Sequence, residues 1–122
     1  MRSLRWRLLI VTSLLLAALA GAQPATAVPA NCPAGAACIY RDINYSPTPY
    51  KFYGANASWG PWPGIENDDS SWCNNGTTGR LARIWTGRNY TGAWFVLPKG
   101  SCVPRDPEYD NRGSSNDWPW HT

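Results

Sequence analysis

The stretch WTGRNYTG, which begins at Trp85, places a second aromatic residue at Tyr90 and a glycine at Gly92. This spacing suits a folded hairpin, because glycine adopts backbone conformations that are closed to other residues. A related stretch, YRDINYSP, begins 45 positions earlier at Tyr40. It keeps both aromatic residues but has Pro47 in place of the glycine, so we expect the first hairpin to differ from the second.

A second element follows each hairpin stretch at a similar distance. Three of its residues recur 44 positions later, so that Asn67, Ser70 and Ser71 correspond to Asn111, Ser114 and Ser115. Aromatic residues five apart are common in a tryptophan-rich chain, and either half alone would be a weak signal. The two elements together favour a supersecondary unit that is used twice.

Short runs of β-branched and aromatic residues alternate with clusters of Gly, Pro, Asn and Ser, and no stretch after the leader shows a sustained helical stripe. The chain is therefore predicted to be all-β. The candidate strands are 37–40, 50–53, 81–85 and 93–97, with short extended segments near Ser71 and Ser115.

Residues 1–27 have the pattern of a secretory signal peptide, in which arginines precede an apolar stretch that ends in small residues. We expect cleavage after Ala27, with Ala22 as an alternative. A transmembrane anchor is the competing interpretation, but the apolar stretch from Leu8 to about Ala22 is shorter than the roughly 20 residues that a span requires. A single secreted domain, residues 28–122, is expected.

The charge of this domain argues against two classes of partner. Three of the eleven Lys and Arg residues lie in the leader and all eight Asp and Glu residues follow it, which leaves eight of each sign. A neutral chain lacks the basic surplus that attracts nucleic acid or anionic lipid. We therefore expect no nucleic acid partner and no membrane contact after cleavage.

All four cysteines follow the leader, and an even number in a small exported domain predicts two disulfides. Three pairings are formally open. The short segment CPAGAAC suggests that Cys32 pairs with Cys38, which leaves Cys73 for Cys102. A zinc site is the weaker alternative, because the sequence has no CxxC pair and the single histidine, His121, is the penultimate residue.

The two repeated elements resemble the βγ-crystallin Greek-key motif, aromatic-x4-aromatic-x-Gly followed by Asn/Asp-Asn/Asp-x-x-Ser/Thr-Ser. The leader and the segments CPAGAAC, IYRDINY, ENDDSSWCNNG and DNRGSSNDW make the chain similar to the secreted bacterial proteins of peptidase inhibitor family I36. The resemblance implies a βγ-crystallin-like sandwich of two Greek keys, with motif one at about 36–75 and motif two at about 80–118.

The resemblance also implies two calcium sites. Carried over residue by residue, it nominates Asp110, Asn111 and Ser114 for one site, and Glu66, Asn67 and Ser70 for the other. The first-half element departs from the pattern, because glutamate stands where Asn or Asp is expected. Hard side-chain oxygens suit calcium, and two neighbouring carboxylates, Asp68 and Asp69, add charge. The competing interpretation is that these residues only build turns.

Catalytic motifs are missing from the sequence. It has one histidine, no GxSxG and no HExxH, so a hydrolytic triad and a zinc peptidase are not expected. Four carboxylates, Asp42, Glu66, Asp106 and Glu108, could formally serve a glycosidase, but any domain with eight carboxylates passes that test. We expect a protein without enzymatic activity.

Five of the eight tryptophans divide into two groups, and Trp118 and Trp120 near the end of the chain are left unassigned. Trp59 and Trp62 lie in WGPWPG, a predicted loop, where large rings suggest an exposed binding surface for a protein or a sugar. Trp72, Trp85 and Trp94 lie on predicted strands and are assigned to packing.

We therefore predict a secreted, monomeric inhibitor of an extracellular peptidase, plausibly a metallopeptidase by resemblance. Rigid loops held by disulfides would lose little entropy on binding. One alternative is a calcium-binding βγ-crystallin-type structural protein. Another is a cell-wall or carbohydrate-binding module, which the tryptophan content favours.

Overall fold

The computed structural model describes residues 27–122, so the predicted signal peptide up to Thr26 lies outside the described residues. The described chain forms seven strands: β1 (Ala37–Tyr40), β2 (Tyr50–Phe52), β3 (Ser71–Asn74), β4 (Ala82–Gly87), β5 (Thr91–Leu97), β6 (Cys102–Val103) and β7 (Ser115–Asp117). No helix within residues 27–122 is long and apolar enough to cross a membrane. The all-β prediction is confirmed.

Two antiparallel sheets form the sandwich, and each half of the chain lends a segment to the sheet of the other half. The first sheet has the order β2-β1-β3-β6, and the second has the order β5-β4-β7. Strand β6 of the second half pairs with β3 of the first. In the opposite direction, Asn56 of the first half forms an isolated bridge with Asn116 of β7. This exchange makes the two Greek keys a single folded unit.

Both hairpins fold in the same way. Asn44 and Tyr45 have φ of 57° and 62°, and Asn89 and Tyr90 have φ of 57° and 58°. Consecutive left-handed residues form the tight turn that matches strand twist, and asparagine tolerates this conformation better than most residues. The expected difference between the hairpins is therefore confined to the residues that follow the turn, where Pro47 stands in place of glycine.

A serine from the second repeated element closes each hairpin. The hydroxyl of Ser71 accepts a hydrogen bond from the Tyr45 amide at 3.0 Å and donates to the Asp42 carbonyl at 2.6 Å. In the second half, the Ser115 hydroxyl accepts from the Tyr90 amide at 3.2 Å and likewise donates to a turn carbonyl. The hairpin and the serine element therefore recur together because they bond to each other.

The main core lies between the sheets. It is built from nine buried residues: Ala37, Ile39, Phe52, Trp59, Ile65, Trp72, Ala82, Ile84 and Leu97. A smaller cluster of buried side chains on the outer face of the first sheet contains the half-cystines Cys32, Cys38 and Cys73. The disulfides join Cys32 to Cys38 and Cys73 to Cys102, the pairing that the sequence favoured.

The prediction that Trp59 and Trp62 form an exposed binding surface is wrong for Trp59. Trp59 is fully buried, its ring stacks on Phe52 at 5.1 Å, and its Nε1 donates to Asn116 Oδ1 at 2.9 Å. Trp62 is half-buried with its ring edge against Phe52. Because a buried tryptophan removes a large apolar area from water, the Gly- and Pro-rich loop folds over the core and does not project from it. Trp59 is therefore not available as a contact for a protein or a sugar.

Two of the three strand tryptophans that were assigned to packing lie outside the buried core. Trp85 and Trp94 are cross-strand partners on the outer side of the second sheet, and Trp94 is 39% exposed. The guanidinium of Arg83 lies over both rings, at 4.8 and 5.6 Å from their centroids. Only Trp72 of the three lies in the buried core, because neighbouring residues of a strand point to opposite faces.

Candidate calcium sites

The two repeated Asn-x-x-Ser-Ser elements form facing loops, residues 66–71 and 110–115. The Asn67 amide donates to the Gly113 carbonyl at 2.8 Å, and the Asn111 amide donates to the Asp69 carbonyl at 2.7 Å. Both asparagines have positive φ, 56° and 59°, a conformation that asparagine adopts with little strain. The loops are therefore related by an approximate two-fold pattern of backbone hydrogen bonds.

The serine hydroxyls reach across from one loop to the other. Ser70 Oγ donates to Asp110 Oδ1 at 2.5 Å, and Ser114 Oγ donates to Asn67 Oδ1 at 3.2 Å. These hydrogen bonds pair oxygens across the two loops, whereas the predicted calcium sites each took their oxygens from one loop. Sequence spacing does not show this exchange, because it depends on how the halves pack.

The carboxylate of Glu66, in the loop from the first half of the chain, forms an ion pair with an arginine. Glu66 accepts two hydrogen bonds from Arg88, at 2.8 and 2.5 Å, and these bonds lower the pKa of Glu66 below its ordinary value. Arg88 belongs to the second hairpin, and the corresponding position of the first hairpin is Ile43. Among residues 27–122, no Lys or Arg nitrogen lies within 4.0 Å of the Asp110 carboxylate. The two candidate sites are therefore not equivalent.

Asp69 has a structural role in the contact between the two loops. Its side chain is fully buried, where Oδ2 accepts from Trp72 Nε1 at 2.7 Å and Oδ1 accepts from the Gly113 amide at 2.8 Å. Burial, with a smaller contribution from the nearby charge of Asp110, outweighs the hydrogen bonds that Asp69 accepts and raises its pKa to about 6. The Asp69 carboxylate therefore links the two loops internally.

Gly113 allows that link to form. A Cβ at this position would lie 2.3 Å from Asp69 Oδ2 and 2.3 Å from the Trp59 ring. No side chain can be accommodated there without displacing buried atoms. Sequence reasoning missed this requirement because Gly113 lies at a variable position of the repeated element. Its partner in the first half is Asp69 itself.

The neighbouring carboxylate Asp68 is also engaged. It pairs with Arg41 at 2.8 Å, and its side chain is 43% exposed. Within residues 27–122, no group of three or more His, Cys, Asp and Glu side chains is arranged to hold a metal ion. Calcium takes six to eight oxygen ligands. Asp110 and Ser70 fit as two of them, with main-chain oxygens and water needed for the rest, whereas Glu66 does not fit while Arg88 holds it.

Comparison with known proteins gives a family match. The sequence model of peptidase inhibitor family I36 matches residues 25–97. No curated protein matches the chain by sequence.

Comparison with solved structures identifies the fold. A structure described under "Evolution of the eye lens beta-gamma-crystallin domain fold" is 18% identical, with a TM-score of 0.66, and the alignment covers 80% of this chain and 98% of the other. A βγ-crystallin domain from Clostridium beijerinckii is 17% identical at a TM-score of 0.59, covering 70% and 99%. IPSE alpha-1, described as an IgE-binding crystallin, is 20% identical at 0.54, covering 72% and 84%. These identities support the βγ-crystallin fold alone.

Proposed function

Because the chain belongs to peptidase inhibitor family I36, we propose that it is a secreted inhibitor of extracellular peptidases, and of metallopeptidases in particular. The match to that family over residues 25–97 is the observation that carries the proposal. The choice of metallopeptidases as the target rests on the resemblance between the motifs of this chain and those of the secreted bacterial members of the family. A family of inhibitors also implies a protein that is not itself catalytic.

The rigidity of the fold supports this role. Both disulfides lie in or beside the first sheet, where Cys38 of β1 is the register partner of Cys73 of β3, and Cys73 is the partner of Cys102 of β6. The bond between Cys73 and Cys102 closes a long loop and contributes about 3–4 kcal/mol in the chain-entropy model. A frame of this kind presents its surface loops in one conformation, so little entropy is lost on binding.

Export to an oxidising compartment fits the same role. Disulfides persist in secreted proteins and are rare where thiols are kept reduced. The leader has the charge, apolar length and small residues of a signal peptide. We expect the mature chain to begin at Val28 and to act as a monomer, which mass spectrometry of the secreted protein and light scattering would check.

The test is a titration of the oxidised mature chain against a panel of secreted metallo-, serine and cysteine peptidases, with and without calcium. We expect stoichiometric inhibition of a metallopeptidase. The matched control is the same chain after reduction and alkylation, which should lose inhibition because the frame is no longer braced. Stoichiometric inhibition of only another class would contradict the metallopeptidase assignment, and no inhibition of any peptidase would contradict the inhibitor role.

A second candidate function, calcium binding, is supported by the asymmetry of the two loop pairs. Asp110 has no basic partner within the described chain, and the Ser70 hydroxyl already contacts it at 2.5 Å. We expect calcium to raise the melting temperature through this pair alone. Asp110→Asn should remove most of the increase. Glu66→Gln is the control and should leave it unchanged, because Arg88 holds that carboxylate. A melting temperature that does not respond to calcium or EDTA would exclude the site.

A further inference from the structure

The loop that links the two halves of the sandwich, residues 75–81, is exposed at its tip. It joins β3 to β4, and Thr77, Thr78 and Gly79 are all exposed. Gly79 has φ of +82°, and a Cβ added at this position would meet no atom within 4 Å. The segment GTTG at 76–79 carries no charged residue. It presents two small β-branched side chains, Thr77 and Thr78, between two glycines.

One buried side chain holds the two ends of this linking loop together. Asn74 is fully buried, and its Nδ2 donates to the Arg80 carbonyl at 3.1 Å and to the Leu97 carbonyl at 2.8 Å. Its Oδ1 accepts from the Gly76 amide at 2.8 Å. These bonds lie in a buried environment, where breaking them would leave polar groups unpaired at a cost in free energy. They therefore hold the loop in one conformation.

The first residue of the linking loop is bound to the N-terminal disulfide segment. The Asn75 carbonyl accepts from the Gly35 amide at 2.7 Å, and the Asn75 amide donates to the Ala36 carbonyl at 2.9 Å. The Asn75 side chain donates to the Cys32 carbonyl at 2.8 Å. The loop therefore rests on the segment that the bond between Cys32 and Cys38 closes.

The second disulfide spans the linking loop. Cys73 precedes the loop and Cys102 follows it, and the two are bonded. Hydrolysis of a peptide bond at 76–79 would add one water and leave a carboxylate and an ammonium group, but the two fragments would stay covalently joined. Asn74 would also continue to bind both ends. A peptidase that cut this loop would release no product.

A groove of about 620 Å³ lies beside the linking loop. Thr77 and Thr78 line it together with Tyr53 and Trp118. Tyr53 is 60% exposed, and exposed tyrosines are among the residues that dominate binding energy in protein interfaces. The exposed tip of the loop therefore lies at the edge of a groove that has an exposed aromatic side chain, Tyr53, in its lining.

We propose that the linking loop enters the active-site cleft of the inhibited peptidase, with Thr77 and Thr78 at the cleft and Tyr53 against its rim. This inference rests on the proposed inhibitor function. The partner is a peptidase whose cleft accepts small, uncharged, β-branched side chains. A peptidase that requires a basic residue at the cut site does not fit this loop, because GTTG contains no Lys or Arg.

The test compares Thr77→Arg with the matched surface variant Thr48→Arg, using a peptidase that the wild-type chain inhibits. We expect Thr77→Arg to raise the inhibition constant on the order of tenfold or more, with no change in melting temperature. Thr48 lies in the first hairpin region and is exposed, so its variant should inhibit like the wild type. Equal inhibition by both variants would overturn the loop assignment and leave the inhibitor function standing.

A second measurement does not depend on a variant. After long incubation of the wild-type chain with the peptidase, we expect the intact disulfide-bonded chain to gain the mass of one water. Reduction should then separate two fragments that meet within residues 76–79. Slow cleavage at another exposed loop would place the contact there and refute the assignment. Failure of the wild-type chain to inhibit any peptidase would overturn the inhibitor function and this inference with it.

Discussion

The buried carboxylate of Asp69 should make the protein less stable at neutral pH than at mildly acidic pH. Its pKa is about 6 in the folded chain, against an ordinary value of 3.8, and burial is the main cause. Because the pKa is raised on folding, the folded chain binds the proton more tightly than the unfolded chain does. The stabilisation is fully present below the unfolded pKa and is lost as the pH rises through about 6.

The size of this change in stability follows from the difference between the folded and the ordinary pKa of Asp69. At 1.36 kcal/mol for each pH unit, the gap between 3.8 and about 6 corresponds to about 3 kcal/mol of unfolding free energy. Glu66 and Asp117 have lowered pKa values, so their contributions are lost as the pH falls and have the opposite sign. Their loss is concentrated near and below pH 4, which leaves Asp69 as the main cause of the slope between pH 4 and 7.

The assay is urea unfolding of the oxidised chain, followed by tryptophan fluorescence at intervals from pH 4 to 7.5. Asp69→Asn should flatten the slope, because an amide does not ionise, although it leaves one of the two donors facing Asp69 without an acceptor. Asp68→Asn is the matched control, since that neighbouring carboxylate is 43% exposed whereas Asp69 is fully buried, and the variant should keep the wild-type slope. Stability that stays constant or rises from pH 4 to 7 would refute the reasoning.

Three further predictions concern the core and the loops. Gly113→Ala should destabilise the fold by about 1–3 kcal/mol through overpacking, whereas Gly54→Ala, whose Cβ would meet no atom within 4 Å, should be nearly neutral in thermal unfolding. Trp59→Ala should cost about 3–5 kcal/mol in urea unfolding, and a small loss would mean that the ring is not in the core. Arg88→Ile, which copies the residue of the first hairpin, should free Glu66 and add a second calcium-binding event in calorimetry; unchanged stoichiometry would contradict the account of the asymmetry.

The repeated elements could be predicted from the sequence because each is a short motif that occurs twice at nearly the same offset. The residue types of the hairpin and of the serine element recur at fixed spacings, so the pattern was visible even though the hydrogen bonds that join the two elements span 26 and 25 positions. The strands at 37–40 and 93–97 were predicted for the same reason, since alternation and turn residues identify them. Strand β6 was missed, because two residues followed by a proline carry no periodic signal and are ordered by pairing with β3.

The candidate site was predictable only in part. The six oxygen-bearing residues lie in the two facing loops, as the motif implied. Their partners were not predictable, because Ser70 and Asp110 are 40 positions apart and meet only when the halves pack. Arg88 gave no signal either, since an arginine in a turn is ordinarily a solvated charge. Its pairing with Glu66 depends on the same packing of one half against the other.

The sequence by itself determined the fold class, the duplication, the disulfide count and the family, because these depend on residue types at fixed spacings. The tertiary structure alone decided which tryptophan is buried, which carboxylate faces inward and which one is neutralised. Trp59, Asp69 and Glu66 each occur in a stretch that looks like an exposed polar or Gly- and Pro-rich loop. Their environments come from residues more than 20 positions away, such as Asn116, Gly113 and Arg88. Burial and charge pairing are properties of those distant contacts, and no local pattern contains them.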